Sequence, residues 1–270
     1  MNRHTRSAAF FDLDKTIIAK SSTLAFSKPF FDGGLLTRRA VLRSAYAQFV
    51  FAVSGADHDQ LEKMRAYLTE MVTGWDVEVV RQAVAETLHT IIDPLVYDEA
   101  VQLIEQHREE GRDIIIVSAS GAEVVEPIGA MLGADHVIAS RLGEQDGRYT
   151  GEIEFYAYGG NKAKAIVALA AERGYDLAES YAYSDSETDA PMLTVVGHPF
   201  AVNPDKSLRK IATENNWPIL AFARPVALRP RLGLDTRAGK VAAASAIAGA
   251  VGAITIALVV RKKGRSIHSA

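Results

Sequence analysis

The feature that most constrains this chain is a short apolar run, Ala8-Ala9-Phe10-Phe11, that leads into two carboxylates, Asp12 and Asp14. A bounded run of this length reads as a buried strand. If the strand ends at Asp12, both carboxylates stand at its carboxyl edge, where open α/β sheets bind their ligands. Two ionised aspartates this close repel each other, and a cation or a shared proton relieves them. A bare Asp-x-Asp is usually a solvated turn. Tethered to a buried strand, it is a candidate site.

The pattern that follows sets the architecture. Residues 19–92 read as helical throughout, with apolar spacing suited to helices over Leu35–Ser54, Asp59–Val72 and Asp76–Thr90, the last with Asp76 as its N-cap. No strand intervenes, so this block is expected to be a helical cap inserted after the first strand. From Tyr97 strands and helices alternate. Helices are expected over Tyr97–Glu110, Gly121–Leu132, Asn161–Arg173 and Ser207–Asn215, with a helical turn at Ala190–Leu193. Strands are expected over Asp113–Val117, Val137–Arg141, Ser180–Ser184, Phe200–Val202 and Ile219–Ala223, with a small hairpin near Gly147 involving Arg148–Phe155. Such alternation implies an α/β fold: a Rossmann-like parallel sheet with helices on both faces. The core is expected over residues 8–18 and 93–223, and the cap over 19–92.

Three further features fall where strands of that sheet should end. Ser118 follows Ile114-Ile115-Ile116-Val117, and Ser120 and Gly121 are expected to open the next helix. A hydroxyl beside free N–H groups at a helix start can cradle a phosphate, although either serine could equally be a plain N-cap. Lys162 begins the helix after Gly159-Gly160, where an ammonium could meet a phosphate; taken alone it is an ordinary surface lysine. Tyr181-Ala182-Tyr183-Ser184 delivers an acidic pair, Asp185 and Asp189, one of which could be a helix cap.

Their order carries more than any one of them. Asp-x-Asp, then Ser, then Lys, then two aspartates four residues apart resembles the motif series of the haloacid dehalogenase superfamily over roughly residues 8–220. The Asp-x-Asp-Lys-Thr form, the helical insert and Val117-Ser118-Ala119-Ser120 look most like its phosphoserine-phosphatase-like branch, subfamily IB. The resemblance implies a Mg²⁺-dependent phosphatase working through an aspartyl-phosphate. Asp12 would be the nucleophile. Asp14 would be the general acid and then the base. Ser118 and Lys162 would bind the phosphoryl oxygens. Mg²⁺ would be held by Asp12, Asp185 and Asp14, the last through its backbone carbonyl. Asp189 would hold the acidic loop or Lys162 in place, and Thr16 would hold its own loop; the resemblance suggests no role for Lys15. A phosphotransferase uses the same residues, and a non-enzymatic regulator that keeps the phosphate site is a further alternative.

One departure bears on the substrate. Phosphoserine phosphatases capture the substrate ammonium with an acidic residue shortly after the first motif. The corresponding stretch here is Ala19-Lys20-Ser21-Ser22, which has no carboxylate. The expected substrate is therefore another phosphorylated small molecule or a lipid-derived phosphate.

Composition narrows the remaining classes. With no cysteine, the chain has no disulfide, no thiolate nucleophile and no Cys-bound zinc. A net charge of −3 gives no general pull toward nucleic acid. The apolar run at the start is too short for a secretory signal. Toward the other end, residues 224–240 read as an extended linker. Val241–Val260 is then twenty residues without a charge, followed by a basic tail over 261–270. Twenty helical residues span about 30 Å, the thickness of a bilayer's hydrocarbon core. A C-terminal transmembrane helix is expected, with the catalytic part in the cytoplasm.

Overall fold

The computed structural model describes residues 6–32, 69 and 72–223. These lie within one compact unit, Met1–Ala227; a second unit, Leu228–Ala270, is outside the described residues, as are the expected linker and membrane span. Among the described residues, no helix is long and apolar enough to cross a membrane. Of the expected cap, the helix over Leu35–Ser54 and nearly all of that over Asp59–Val72 also lie outside.

The apolar run forms β1 (Ala8–Phe11), and every residue in it is buried. It is the central strand of a seven-stranded sheet, flanked on one side by β2 (Asp113–Gly121), β3 (His136–Gln145) and β4 (Arg148–Phe155). On the other side lie β5 (Tyr181–Ser184), β6 (His198–Val202) and β7 (Ile219–Leu220). Every pairing is parallel except β3 with β4. The expected parallel sheet is thus a mixed one, closed at one edge by a hairpin. Its turn is Asp146-Gly147, both at positive φ (52° and 73°), the backbone that suits the twist of a two-residue hairpin. The Asp-Gly pair carries that signal, and β3 runs on past Arg141 to meet it.

Side chains alternate across a strand, so burial on both sides of β1 requires two covering layers. Ala8 and Phe10 enter a core with α6 (Gly160–Arg173), α7 (Ala190–Thr194) and α8 (Lys206–Glu214), through Ile166, Met192, Leu193 and Leu208. Phe11 faces the other way. It stacks on Tyr183 at 4.6 Å and meets the ring of His107, on α4 (Asp98–Glu109), edge-on at 6.0 Å. Tyr183 stacks in turn on Phe200, and its hydroxyl bonds His107 Nε2 at 2.7 Å. Burial, with Arg112 beside it, lowers the His107 pKa to about 4, so the imidazole is neutral at neutral pH.

Between β1 and α4 the described chain forms α1 (Ser22–Ala25), α2 (Ser27–Asp32) and α3 (Val77–Ile92). Asp76 caps α3 as expected, accepting from the N–H groups of Glu78 and Val79. The start of α3 is sewn to the hairpin: Val77 N–H donates to Gly147, Gly74 N–H to Tyr149 and Tyr149 N–H to Trp75. Phe30, Trp75, Val77, Val80 and Tyr149 cluster there. The helix α5 (Ala122–Leu132) follows β2.

The turn before β6 admits only glycine: a Cβ on Gly197 would stand 1.8 Å from the carbonyl oxygen of Ala178. Gly197→Ala is expected to destabilise the fold by about 2 kcal/mol, lowering the melting temperature by roughly 4–8 °C. Thermal denaturation followed by circular dichroism checks this.

Candidate active site

The order of strands reverses at β1 and β5: β1 leads to β2 on one side, and β5 leads to β6 on the other. Open sheets bind ligands at such a switch point, beyond the carboxyl ends of the strands. Phe11 is level with Ile116 of β2 and Tyr183 of β5. Asp12 is the next residue, and its N–H donates to the Tyr183 carbonyl at 2.9 Å. Asp185 leaves the neighbouring strand just beyond Ser184. The sheet therefore delivers both aspartates to one edge.

Lys162 joins the groups that the sheet brings close. Gly159, at φ 55° and ψ −129°, turns the chain into α6 and puts Lys162 in the first turn. Its side chain is buried, with the residue only 2% exposed. The ammonium donates to Asp12 Oδ1 at 2.6 Å and to Asp189 Oδ2 at 2.7 Å. Ser184 Oγ also donates to Asp189 Oδ2, at 2.7 Å. Asp189 thus ties both the lysine and the end of β5, and it does so as a buried ion-pair partner rather than as a side-chain cap. Burial opposes the charge on Lys162, but Asp12 and Asp189 outweigh it and hold the ammonium protonated, above the ordinary lysine range.

The carboxylates outnumber their cations. Burial pushes the Asp12 carboxyl up against the pull of Lys162, and Asp189, Asp185 and Asp14 add to the push. Burial also raises Asp185, to about 7, opposed by Lys15. Lys15 sits at φ 63° in the loop after β1, where the N–H groups of Thr16, Ile17 and Ile18 turn back to the Leu13 carbonyl. Its charge acts on Asp185, a role with no local sequence signal.

Asp14 is differently placed. Its Oδ1 accepts from Ser22 N–H at 2.7 Å and its Oδ2 from Ser120 Oγ at 2.9 Å. Ser118 and Ser120 do not cap a helix: β2 continues through both, with an irregularity between Ser118 and Gly121, and α5 begins only at Ala122. Ser118 Oγ accepts from Ser120 N–H at 3.2 Å, which leaves its own proton to donate. Thr16 does not hold its loop by its hydroxyl; the buried Oγ1 has no hydrogen-bond partner among the described residues.

Among the described residues no three His, Cys, Asp or Glu side chains group to hold a metal ion. Two carboxylates and a main-chain carbonyl are a different donor set, one that suits Mg²⁺, which takes few protein ligands and keeps waters. Asp185 fits it, because its carboxylate makes no hydrogen bond among the described residues and is raised by burial. The Asp14 carboxylate, with both oxygens engaged, leaves only its carbonyl for that set.

With that geometry in view, residues 9–194 match the haloacid dehalogenase-like hydrolases. The chain belongs to that family. It is 64% identical over 229 residues to the "Inhibition of morphological differentiation protein" of Streptomyces azureus, covering 84% of this chain and 82% of the relative. It is 59% identical to a "Probable phosphatase" of Mycobacterium tuberculosis, over 95% of this chain and 90% of the relative. A solved Bordetella pertussis protein of unknown function aligns with a TM-score of 0.71 and 27% identity, over 80% of this chain and 98% of that one. An apo phosphoserine phosphatase shares the fold, with a TM-score of 0.59 and 18% identity over 86% of this chain and all of the other. The enzyme is a phosphatase of the haloacid dehalogenase type.

The raised Asp185 carboxyl makes stability depend on pH. Its unfolded value is near 3.8 and its folded value about 7, so the folded state holds the extra proton and this group's contribution falls as pH rises between them. In metal-free protein, Asp185→Asn is expected to gain stability over wild type from pH 4 toward 7, then hold level. Urea denaturation across that range with a chelator present checks it; a difference that does not vary with pH overturns it.

Proposed function

We propose that this enzyme hydrolyses a phosphate monoester in two displacements, with Asp12 as nucleophile and Mg²⁺ as cofactor. The observation that carries the reading is the buried Lys162 ammonium on Asp12 Oδ1, which holds the carboxylate in place and leaves Oδ2 without a hydrogen bond among the described residues. Asp12, Asp185 and the Asp14 carbonyl would hold the ion. When bound, it neutralises charge on the phosphoryl oxygens and on the crowded carboxylates.

The chain's own groups divide the rest of the work. Asp12 attacks phosphorus as the bond to the leaving alcohol breaks, giving an aspartyl-phosphate. Lys162 and the Ser118 hydroxyl take the phosphoryl oxygens, so charge developing there meets donors already in position. Asp14, in its protonated form, gives its proton to the departing oxygen. It then takes one from the water that hydrolyses the intermediate.

The substrate is proposed to be a phosphorylated small molecule or lipid-derived phosphate without an ammonium beside the ester. Support comes from the segment joining the site to α1, where Lys20 is exposed and no carboxylate is present. We further propose that Val241–Val260 anchors the enzyme in a membrane, with the catalytic part cytoplasmic; its length and lack of charge support this.

Asp12→Asn should lower phosphate release by at least about 10³-fold while keeping the melting temperature within a few degrees, because Lys162 retains Asp189. Chelation should abolish wild-type turnover and added Mg²⁺ restore it. Retained turnover in the variant would sink the nucleophile assignment. For the anchor, the full chain should sediment with membranes, and deletion of residues 238–270 should release it. A full chain that stays in the supernatant would sink that proposal.

A further inference from the structure

The hydroxyl of Ser120 stands between the catalytic site and the first turn of the insert. It donates to Asp14 Oδ2 at 2.9 Å and accepts from Ser22 Oγ at 2.9 Å, with Thr23 Oγ1 at 3.2 Å. Ser22 N–H fixes the other oxygen of the same carboxylate at 2.7 Å. Ser22 is fully buried and Ser120 nearly so, which gives these bonds little competition from water. Ser120 N–H is itself anchored on Ser118 Oγ, so the hydroxyl is presented by rigid strand rather than by a loose loop. Neither Ser120 nor Ser22 has a part in the reaction as described above.

We propose that Ser120 is a positioning residue for Asp14, with Ser22 as its support, and that it sets how well the enzyme expels a poor leaving group. The inference rests on the phosphatase reading and on Asp14 as its acid. A general acid is held in one orientation only if both its oxygens are held, and it must be held both with and without its proton. Ser22 N–H can only donate, and it fixes Oδ1. A hydroxyl can do both. Ser120 donates to Oδ2 of the carboxylate and, turned about its Cβ–Oγ bond, accepts from Oδ2 when that oxygen carries the proton, until a leaving oxygen faces it and the O–H turns away to that oxygen. Ser22 Oγ and Thr23 Oγ1 provide it with partners in either state. In the first displacement the Asp12–phosphorus bond forms, the bond from phosphorus to the leaving oxygen breaks, and the Asp14 proton goes to that oxygen. The Asp14 carboxylate left behind then regains the Ser120 hydroxyl as donor. An alanine at 120 supplies neither half of this exchange.

The test separates proton delivery from general damage, because an aryl phosphate with a good leaving group needs no proton and an alkyl phosphate does. The full chain, loaded with Mg²⁺, is assayed on p-nitrophenyl phosphate and on a simple alkyl phosphate monoester that the wild type turns over. The reading is kcat/KM, which covers the steps up to release of the first alcohol. Ser120→Ala is expected to lose about 10-fold or more on the alkyl ester and less than about 3-fold on the aryl ester, a fraction of what a general acid contributes. Ser120→Thr should restore the alkyl rate to within about 3-fold of wild type, since it returns the hydroxyl. Ser22→Ala, which keeps the main-chain bond but removes a partner of Ser120, should show the same selectivity at smaller size. Equal losses on the two esters, no loss on either, or no rescue by threonine would overturn the proposal. Failure of the wild type on the aryl ester and on every alkyl phosphate monoester tried would instead overturn the phosphatase reading, so the two failures are told apart.

Discussion

The structure turns on one buried ammonium held between two buried carboxylates. Lys162 reaches Asp12 from α6, and Asp189 reaches Lys162 from the segment after β5, across sequence separations of 150 and 27 residues. Taking any of these charges out of water alone costs several kcal/mol; together each satisfies the others. Removing Lys162 from such a set typically costs about 3–5 kcal/mol, because it strands both carboxylates, whereas loss of the Asp12 charge leaves Lys162 paired with Asp189. The interaction is therefore both a lock between the two halves of the sheet and the arrangement that orients Asp12. On the proposed mechanism, stability and chemistry are joined in the same three side chains.

That lock is possible only because of how the central strands are made. Asp12 follows a strand buried on both faces, and its amide is held by the Tyr183 carbonyl of the neighbouring strand. Tyr183 is fixed in turn by stacking between Phe11 and Phe200 and by its bond to His107. Burial keeps His107 uncharged near neutral pH, so this aromatic layer carries no isolated cation. The two strand ends thus keep a fixed spacing on a rigid support, and the loops carrying Asp14 and Asp185 depart from it.

Much of this architecture was legible because it is written in local patterns. Buried strands read as apolar runs, Asp76 as a cap and the stretch near Gly147 as a hairpin, and the order of Asp12, Ser118, Lys162, Asp185 and Asp189 marked the sheet edge. What could not be read depends on partners distant in sequence. The full length of β3 is one such feature, since it runs on past the expected Arg141 to pair with β4. A Ser-Ala-Ser-Gly run likewise does not disclose whether its hydroxyls cap a helix or extend a strand. Ser120 meets Asp14 across 106 residues, and only the folded sheet brings them together. Lys15 was similarly opaque, since the carboxylate it faces arrives from β5. Thr16 shows the converse: a residue type well suited to fixing a loop, whose hydroxyl finds no partner among the described residues.

Asp12 and Asp14 are the same side chain two residues apart, and the fold gives them unequal surroundings. Asp12 faces inward to Lys162, in surroundings where burial and neighbouring charge contend. Asp14 faces the start of α1, where a main-chain N–H and a hydroxyl take its two oxygens. On the proposed mechanism, two side chains of the same chemistry thereby take different work, one presenting an oxygen to phosphorus and the other managing a proton. Asp185 and Asp189 divide in the same way: Asp189 is paired with Lys162 and hydrogen-bonded by Ser184, whereas Asp185 is left without a hydrogen bond among the described residues, available to a cation. Four carboxylates crowded at one sheet edge would simply repel if they were alike. Unlike surroundings turn the crowding into the proposed division of roles, and the serine that bonds Asp14 links it to the first turn of the insert.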